Sequence, residues 1–183
     1  YGAVGTENVP INEDCPLNPQ NIYAATKCCQ NMLGSIYKSA YNMQIIMVMA
    51  FNHIGSGQSS KFAVSNFCRQ VASIEKGQQE PVIRVGNIAV KRDFSDVRDI
   101  VQAYEMLIKL GKNGETYNVG SGVAIAIEDI LKKILSKSSA KIEVIVDRCR
   151  FRPVDVPVIE ADVQKIKTQL GWYPNIAIDT SIG

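Results

Sequence analysis

Hydrophobic positions along this chain follow two periods, and the places where the period changes mark its elements. Residues Tyr1 to Asn18 show neither period, and Pro10 and Pro16 interrupt any regular element, so this stretch is predicted as loop. From about Pro19 to Tyr41, Ile22, Ala25, Cys29, Leu33, Ile36 and Ala40 recur at helical spacing. That spacing predicts an amphipathic helix with those residues as its buried stripe. Gln44 to Phe51 is short and almost continuously apolar, which predicts a strand covered on both faces. Asn52 to Ser60 is rich in Gly and Ser and predicts a loop. A second helix is expected over Val64 to Lys76, closed by Gly77.

Pro81 to Val85 and Ile88 to Val90 suggest two short strands around a hairpin-type turn at Gly86-Asn87. A third helix spans Val97 to Leu110, with Asp96 as its N-cap and Gly111 just beyond it. Glu115 to Val119 is predicted as a strand running into Gly120-Ser121-Gly122. A helix over Ile127 to Ser136, a strand over Lys141 to Val146, and a helix over Val163 to Leu170 capped by Asp162 complete the pattern. Alternating strands and helices define an α/β class with a mainly parallel sheet. The short strands and the loop-rich stretch after Phe151 suggest part of a nucleotide-type sheet with a smaller substrate-facing region.

Composition narrows the function classes. With 183 residues, 46% hydrophobic and 21% charged, the chain has material for a sizeable core, which excludes disorder as its main state. Lys+Arg 20 against Asp+Glu 18 leaves a net charge of +2, which offers no electrostatic case for a nucleic-acid or membrane-surface partner. No apolar run reaches the roughly 18 residues of a transmembrane helix, and Tyr1-Gly2-Ala3-Val4-Gly5 has neither the basic nor the apolar segment of a signal peptide. Cys15, Cys28, Cys29, Cys68 and Cys149 form an odd set with one adjacent pair, which points to a reduced, cytoplasmic protein. His53 is the single histidine, which argues against a His-based zinc site and leaves it as the only base for a Ser-His-Asp triad.

No G-x-G-x-x-G follows a strand, because Gly55-Ser56-Gly57 and Gly120-Ser121-Gly122 both lack the third glycine, and no Walker A loop is present. The strongest local signal is Tyr23-Ala24-Ala25-Thr26-Lys27. On a helix, positions four apart share a face. An ammonium near a phenol favours the phenolate and tunes the tyrosine to exchange protons with a carbonyl or alcohol oxygen. By spacing alone such a pair is commonplace on helices.

The wider context is more specific. Tyr1-Gly2, then Glu13, Pro16 and Pro19 ahead of Tyr23 to Lys27, resembles the extended short-chain dehydrogenase/reductase family. The same family order continues through Arg92-Asp93-Phe94-Ser95-Asp96-Val97-Arg98-Asp99, Tyr117-Asn118-Val119-Gly120-Ser121-Gly122, Arg150-Phe151-Arg152-Pro153-Val154-Asp155-Val156-Pro157 and Leu170-Gly171-Trp172-Tyr173-Pro174. Phe51-Asn52-His53-Ile54-Gly55-Ser56-Gly57-Gln58 is similar to the FNHxGPGQ segment of the GDP-4-dehydro-6-deoxy-D-mannose reductases. Ser56 departs from that segment's proline, and Met49 stands where relatives often carry arginine. GDP-mannose 4,6-dehydratases come next in similarity.

The resemblance implies the C-terminal part of an extended short-chain dehydrogenase/reductase Rossmann fold. Residues 1–51 would end the NAD(P)-binding domain. Residues 52–183 would mainly bind the nucleotide sugar, with about 96–120 returning to the Rossmann sheet. It also implies roles. Tyr23 would protonate the C4 oxygen of a 4-keto sugar, and Lys27 would lower its pKa and hold the nicotinamide ribose. Phe51 would contact NAD or NADP. Asn52 and His53 would line the sugar-nucleotide pocket, Arg92 and Arg152 would grip the diphosphate, and Asp155 would take a nucleoside hydroxyl. A homodimer and a GDP-linked sugar are the implied partners, with no metal.

Simpler readings stand beside several of these. Arg98 is expected to pair with a carboxylate at the start of the third helix, and Arg92 has the same alternative. His53 would serve equally as a hydrogen-bonded loop histidine. Asn118 and the following glycine turn are expected to end a strand, Trp172 to anchor packing, and Cys28 and Cys29 to pack the helix. In the family, a catalytic Ser or Thr and a glycine-rich dinucleotide half precede the Tyr-Gly matched here at Tyr1-Gly2. The expectation is therefore a C-terminal portion that is inactive alone; the alternative is a non-catalytic nucleotide-sugar-binding module.

Overall fold

A computed structural model describes residues 1–151 and 155–183. In chain order the elements are α1 (Ile22–Tyr41), β1 (Met47–Ala50), β2 (Asn52–Ile54), α2 (Ala63–Glu75), β3 (Val82–Val85), β4 (Lys91–Asp96), α3 (Val97–Leu110), β5 (Thr116–Val119), β6 (Ala124–Ala126), α4 (Ile127–Leu135), β7 (Glu143–Val146), β8 (Val158–Ile159), α5 (Gln164–Leu170) and α6 (Ile178–Ser181). Among the described residues no helix is long and apolar enough to cross a membrane.

The helices start where local chemistry satisfies their free N–H groups. The Asn21 side chain accepts from the Ala24 N–H at 2.9 Å, so α1 begins after it rather than at Pro19. Asp96 accepts from the Arg98 N–H at 2.8 Å and opens α3 at Val97, as its sequence predicts. Asp162 accepts from the Gln164 N–H at 2.8 Å at the head of α5.

The strands pair as the α/β pattern requires, in three small sheets. β1 runs parallel to β5 and β3 parallel to β7. β4 is the hub of the third sheet. Its C-terminal half lies parallel to β2, and its N-terminal half lies between antiparallel β6 and parallel β8.

Four expectations are corrected here. β3 forms no hairpin with Ile88–Val90, which is not a strand. The carbonyls of Ile88 and Val90 instead accept from the Glu128 and Ile127 N–H groups and so cap α4. Asn52–Ile54, expected as loop, is a strand because it finds β4 as a parallel neighbour. Of β1 only Met47 is buried, and Ala50 is exposed, so this strand is not covered on both faces. The apolar stripe of α1 is also uncovered: α1 has no buried residue, and Ile22 is 86% exposed. What lies beneath α1 is the Ile45–Met47 segment, which approaches Gly34, and this segment is too narrow to cover a five-turn stripe. Cys29 is accordingly exposed rather than packed, Cys28 is half-buried, and all five cysteines are free.

Two apolar clusters form the core. The first gathers Ile11, Phe51, Ile100, Leu107, Tyr117 and Val119 with Ile166, Leu170 and Trp172, which acts as the expected packing anchor. The second gathers Ile54, Phe67, Val71, Ile83 and Val85 with Ile130, Leu131 and Ile134. β4 carries four of the buried polar residues, Arg92, Asp93, Ser95 and Asp96.

Candidate active site

Two open cavities, of about 570 and 690 Å³, meet along one shared wall. Tyr23, Phe51, Asn52, His53, Arg92 and Asp155 line both. Six of the expected site residues are thus brought together, although they come from α1, the β1–β2 junction, β4 and the segment before β8. Lys27 lines only the larger cavity. Arg152 lies outside the described residues.

Tyr23 and Lys27 share the exposed face of the first turns of α1, and Tyr23 is 71% exposed. The Lys27 ammonium lies 5.6 Å from the centroid of the Tyr23 ring and donates to Gln30 Oε1 at 3.1 Å. It therefore sits over the phenol ring rather than on the phenol oxygen. Few contacts hold either group, which leaves both free to adjust to what enters the cavities.

The next residues are more constrained. Phe51 is buried, its N–H donates to the Val119 carbonyl at 2.9 Å, and its ring meets Tyr1 with centroids 6.0 Å apart. His53 Nδ1 lies 3.2 Å from the Phe51 carbonyl, so the hydrogen-bonded form carries its proton on Nδ1. Gln58 donates to the His53 carbonyl at 2.8 Å and accepts from Ser65, tying the loop after β2 to α2.

Arg92 occupies the shared wall and is nearly buried. Its Nη1 donates to the carbonyls of Lys91 and Val156 at 2.8 and 2.7 Å, and its Nη2 pairs with Asp155 Oδ1 at 2.5 Å. A buried guanidinium needs such compensation, because losing water without partners costs several kcal/mol per charge. Asp155 Oδ2 in turn accepts from Asn87 Nδ2 at 3.2 Å. Arg98 behaves as the simpler reading expects: its Nε and Nη2 donate to the two oxygens of Asp96, each at 2.8 Å. That guanidinium holds the Asp96 carboxyl well below the usual carboxylate range, against the opposing effect of burial.

Behind the wall lies a set of buried polar clasps. Asp93 is fully buried and accepts from the Ser121 N–H and hydroxyl, the Gly122 N–H and the Ala161 N–H, all within 3.1 Å. Asn118 donates to the Ile11 and Asp162 carbonyls and accepts from the Tyr1 hydroxyl, so it ends its strand as a tie between segments. Burial first, and the nearby Glu13 carboxylate second, push the Tyr1 phenol well above its ordinary range. Gly2 has φ +84°, and a Cβ there would overlap the Asn18 carbonyl, so only glycine lets Tyr1 reach Asn118.

Sequence reasoning missed part of the smaller cavity. Lys61, Arg84, Asn87 and Arg150 also line it, which makes it cation-rich. Arg84 left a readable trace, as the polar position between buried Ile83 and Val85. Asn87 is legible only as a turn residue, since its partner Asp155 is 68 residues away.

The fold is that of the extended short-chain dehydrogenases/reductases. The structure of RMD from Pseudomonas aeruginosa complexed with NADPH superposes with a TM-score of 0.94 at 30% identity, covering 100% of this chain and 60% of that one. Residues 1–183 match the sequence model of the family described as GDP-mannose 4,6 dehydratase, and the chain belongs to that family. Among curated relatives, the GDP-6-deoxy-D-mannose reductase of Pseudomonas aeruginosa is 31% identical over 182 residues, covering 100% of this chain and 60% of that protein. The human GDP-mannose 4,6 dehydratase is 28% identical over 197 residues, covering 98% of this chain and 52% of that protein. The chain thus spans a little over half the length of these relatives.

Proposed function

We propose that this chain forms the substrate-binding part, with the proton donor, of an NAD(P)-dependent oxidoreductase acting on a nucleotide-diphosphate sugar. The reaction assigned is reduction of the 4-keto group of GDP-4-dehydro-6-deoxy-D-mannose. The observation that carries this reading is the position of Tyr23 on the wall shared by two cavities, with Arg92 and Asp155 on the same wall.

The larger cavity fits a nicotinamide dinucleotide chemically: Lys27 and Asn31 supply polar donors beside the apolar ends of Met49 and Phe51. Tyr23, Lys27 and Phe51 would hold that group there, and it supplies the hydride when bound. In the other cavity Arg92, and Arg152 by resemblance, neutralise the diphosphate, where a guanidinium makes paired contacts. Asn52 and His53 orient the sugar, and Asp155 takes a nucleoside hydroxyl. The Tyr23 phenol delivers its proton to the C4 oxygen as negative charge develops there, and Lys27 stabilises the phenolate left behind.

The paired cores support a boundary near Phe51–Asn52, with residues 96–120 returning to the coenzyme side. A homodimer and a cytoplasmic setting belong to the same proposal. The 183 residues carry no glycine-rich dinucleotide loop and are expected not to turn over when expressed alone.

The test is to incubate the protein that carries this chain with GDP-4-dehydro-6-deoxy-D-mannose and NADPH or NADH. Oxidation of the coenzyme with formation of the 4-hydroxy sugar is expected, and it should fall by about 10²–10⁴-fold in Tyr23→Phe while GDP binding persists. Unchanged turnover in Tyr23→Phe would remove the acid role. A second reading, GDP-mannose 4,6-dehydration, is favoured by the description of the matching family; conversion of GDP-mannose to its 4-keto product would establish it.

A further inference from the structure

The geometry points to Asn87 as a positioning residue that sets Arg92 for the diphosphate by acting through Asp155. This inference rests on the nucleotide-sugar reading of the same site.

Asp155 and Val156 belong to a segment without regular structure ahead of β8, and a carboxylate on such a segment is free to rotate unless both oxygens are engaged. Here the two oxygens are divided. Oδ1 meets the Arg92 guanidinium, and Oδ2 accepts from Asn87 Nδ2 at 3.2 Å. Asn87 is itself oriented, because its Oδ1 accepts from the Ala89 N–H at 3.2 Å, which closes the turn after β3 and turns its Nδ2 toward Asp155. The order is therefore turn, amide, carboxylate, guanidinium. Arg92 and Asp155 line both cavities, whereas Asn87 lines only the smaller, cation-rich one. Asn87 thus reaches the pair from the smaller cavity, which Lys27 does not line. The neutral amide fixes the carboxylate without competing for the incoming phosphate, as a cation would.

The role separates cleanly from that of a turn residue. Asn87→Asp keeps an oxygen for the Ala89 N–H but replaces the donor facing Asp155 with a second carboxylate. Asn87→Ala loses both bonds. If Asn87 only shapes the turn, Asn87→Asp should behave like the parent protein.

The experiment is GDP titration by calorimetry and steady-state kinetics with the 4-keto sugar, on the full-length protein that carries this chain. Loss of one hydrogen bond to a charged group corresponds to about tenfold in affinity. The expected result is about tenfold weaker GDP binding and higher KM for the sugar nucleotide in Asn87→Ala, and at least as much in Asn87→Asp. The kcat should stay within about twofold and the coenzyme KM unchanged, since the loss is confined to ground-state binding. Adding Asn87→Ala to Asp155→Ala should weaken GDP no further, because residues in one network are not additive. Full additivity in that cycle, or parental GDP binding in Asn87→Asp, would overturn the inference. If the parent binds GDP but turns over no 4-keto sugar, the reductase reading fails while the GDP titrations still decide the role of Asn87.

Discussion

The first turns of α1 and the middle of β4 contrast sharply. On α1, Tyr23 is largely exposed, and Lys27 donates to Gln30 and lies over the Tyr23 ring. On β4, Arg92, Asp93, Ser95 and Asp96 are all buried, and Asp93 alone accepts from three backbone N–H groups on two distant segments. The groups that would exchange protons sit where little restrains them, while rigidity comes from the buried polar residues of β4, of which Arg92 also lines the cavities. Low-stability surfaces and high-stability cores commonly divide labour in this way.

The largest effect that would sharpen this contrast is on catalysis alone. Tyr23→Phe should lower kcat by about 10²–10⁴-fold with the thermal midpoint unchanged, since the hydroxyl it removes is in water. A comparable fall in stability would place Tyr23 among the structural residues and break the contrast.

Asp93→Ala should show the reverse, with the loss in folding rather than chemistry. It leaves the N–H groups of half-buried Ser121 and Gly122 and of buried Ala161 unpaired, and the cost should be about 3 kcal/mol by urea unfolding. Trp172, the single tryptophan and a buried one, provides the fluorescence signal.

A smaller effect should appear in acid. The Asp96 carboxyl is depressed in the folded state, chiefly by the Arg98 hydrogen bonds. Its stabilisation is therefore complete above the unfolded value of about 3.9 and is lost as pH falls below it. Arg98→Gln should move the acid-unfolding midpoint to higher pH while stability at neutral pH changes less than in Asp93→Ala. An unmoved midpoint would show that Ser181 and the Arg98 N–H suffice to hold Asp96.

The smallest effect belongs to the outer face of α1. Ile36→Ser in the 183-residue chain should change stability by under about 0.5 kcal/mol, because Ile36 is already exposed. A larger loss would mean that this stripe is covered in solution.

Much of the helical skeleton was legible. α3 begins and ends where Asp96 and Gly111 predict, because capping and i,i+4 spacing are short-range. The candidate site was legible as a set of residue types, and Tyr23, Phe51, Asn52, His53, Arg92 and Asp155 do converge on one wall. Their convergence was carried by motif order and not by any local rule. β2, β6 and β8 were missed because each is two or three residues long and exists only by pairing with β4, and β4 itself was missed because its charged Lys91-Arg92-Asp93 start does not look like a buried strand. Ile88–Val90 was misread because its apolar residues match a strand while its carbonyls serve α4.

By itself, the amino-acid sequence determined the α/β class, the ends of α3 and the Tyr23–Lys27 register, since these depend on forces acting within a turn or two. Tertiary structure alone decided that Arg92 meets Asp155 and Asn87, that Asp93 becomes a buried clasp, and that the α1 stripe stays uncovered. Each of these depends on which segment arrives from far along the chain. An apolar stripe states that a cover is needed, and the assembled neighbours decide whether this chain supplies it.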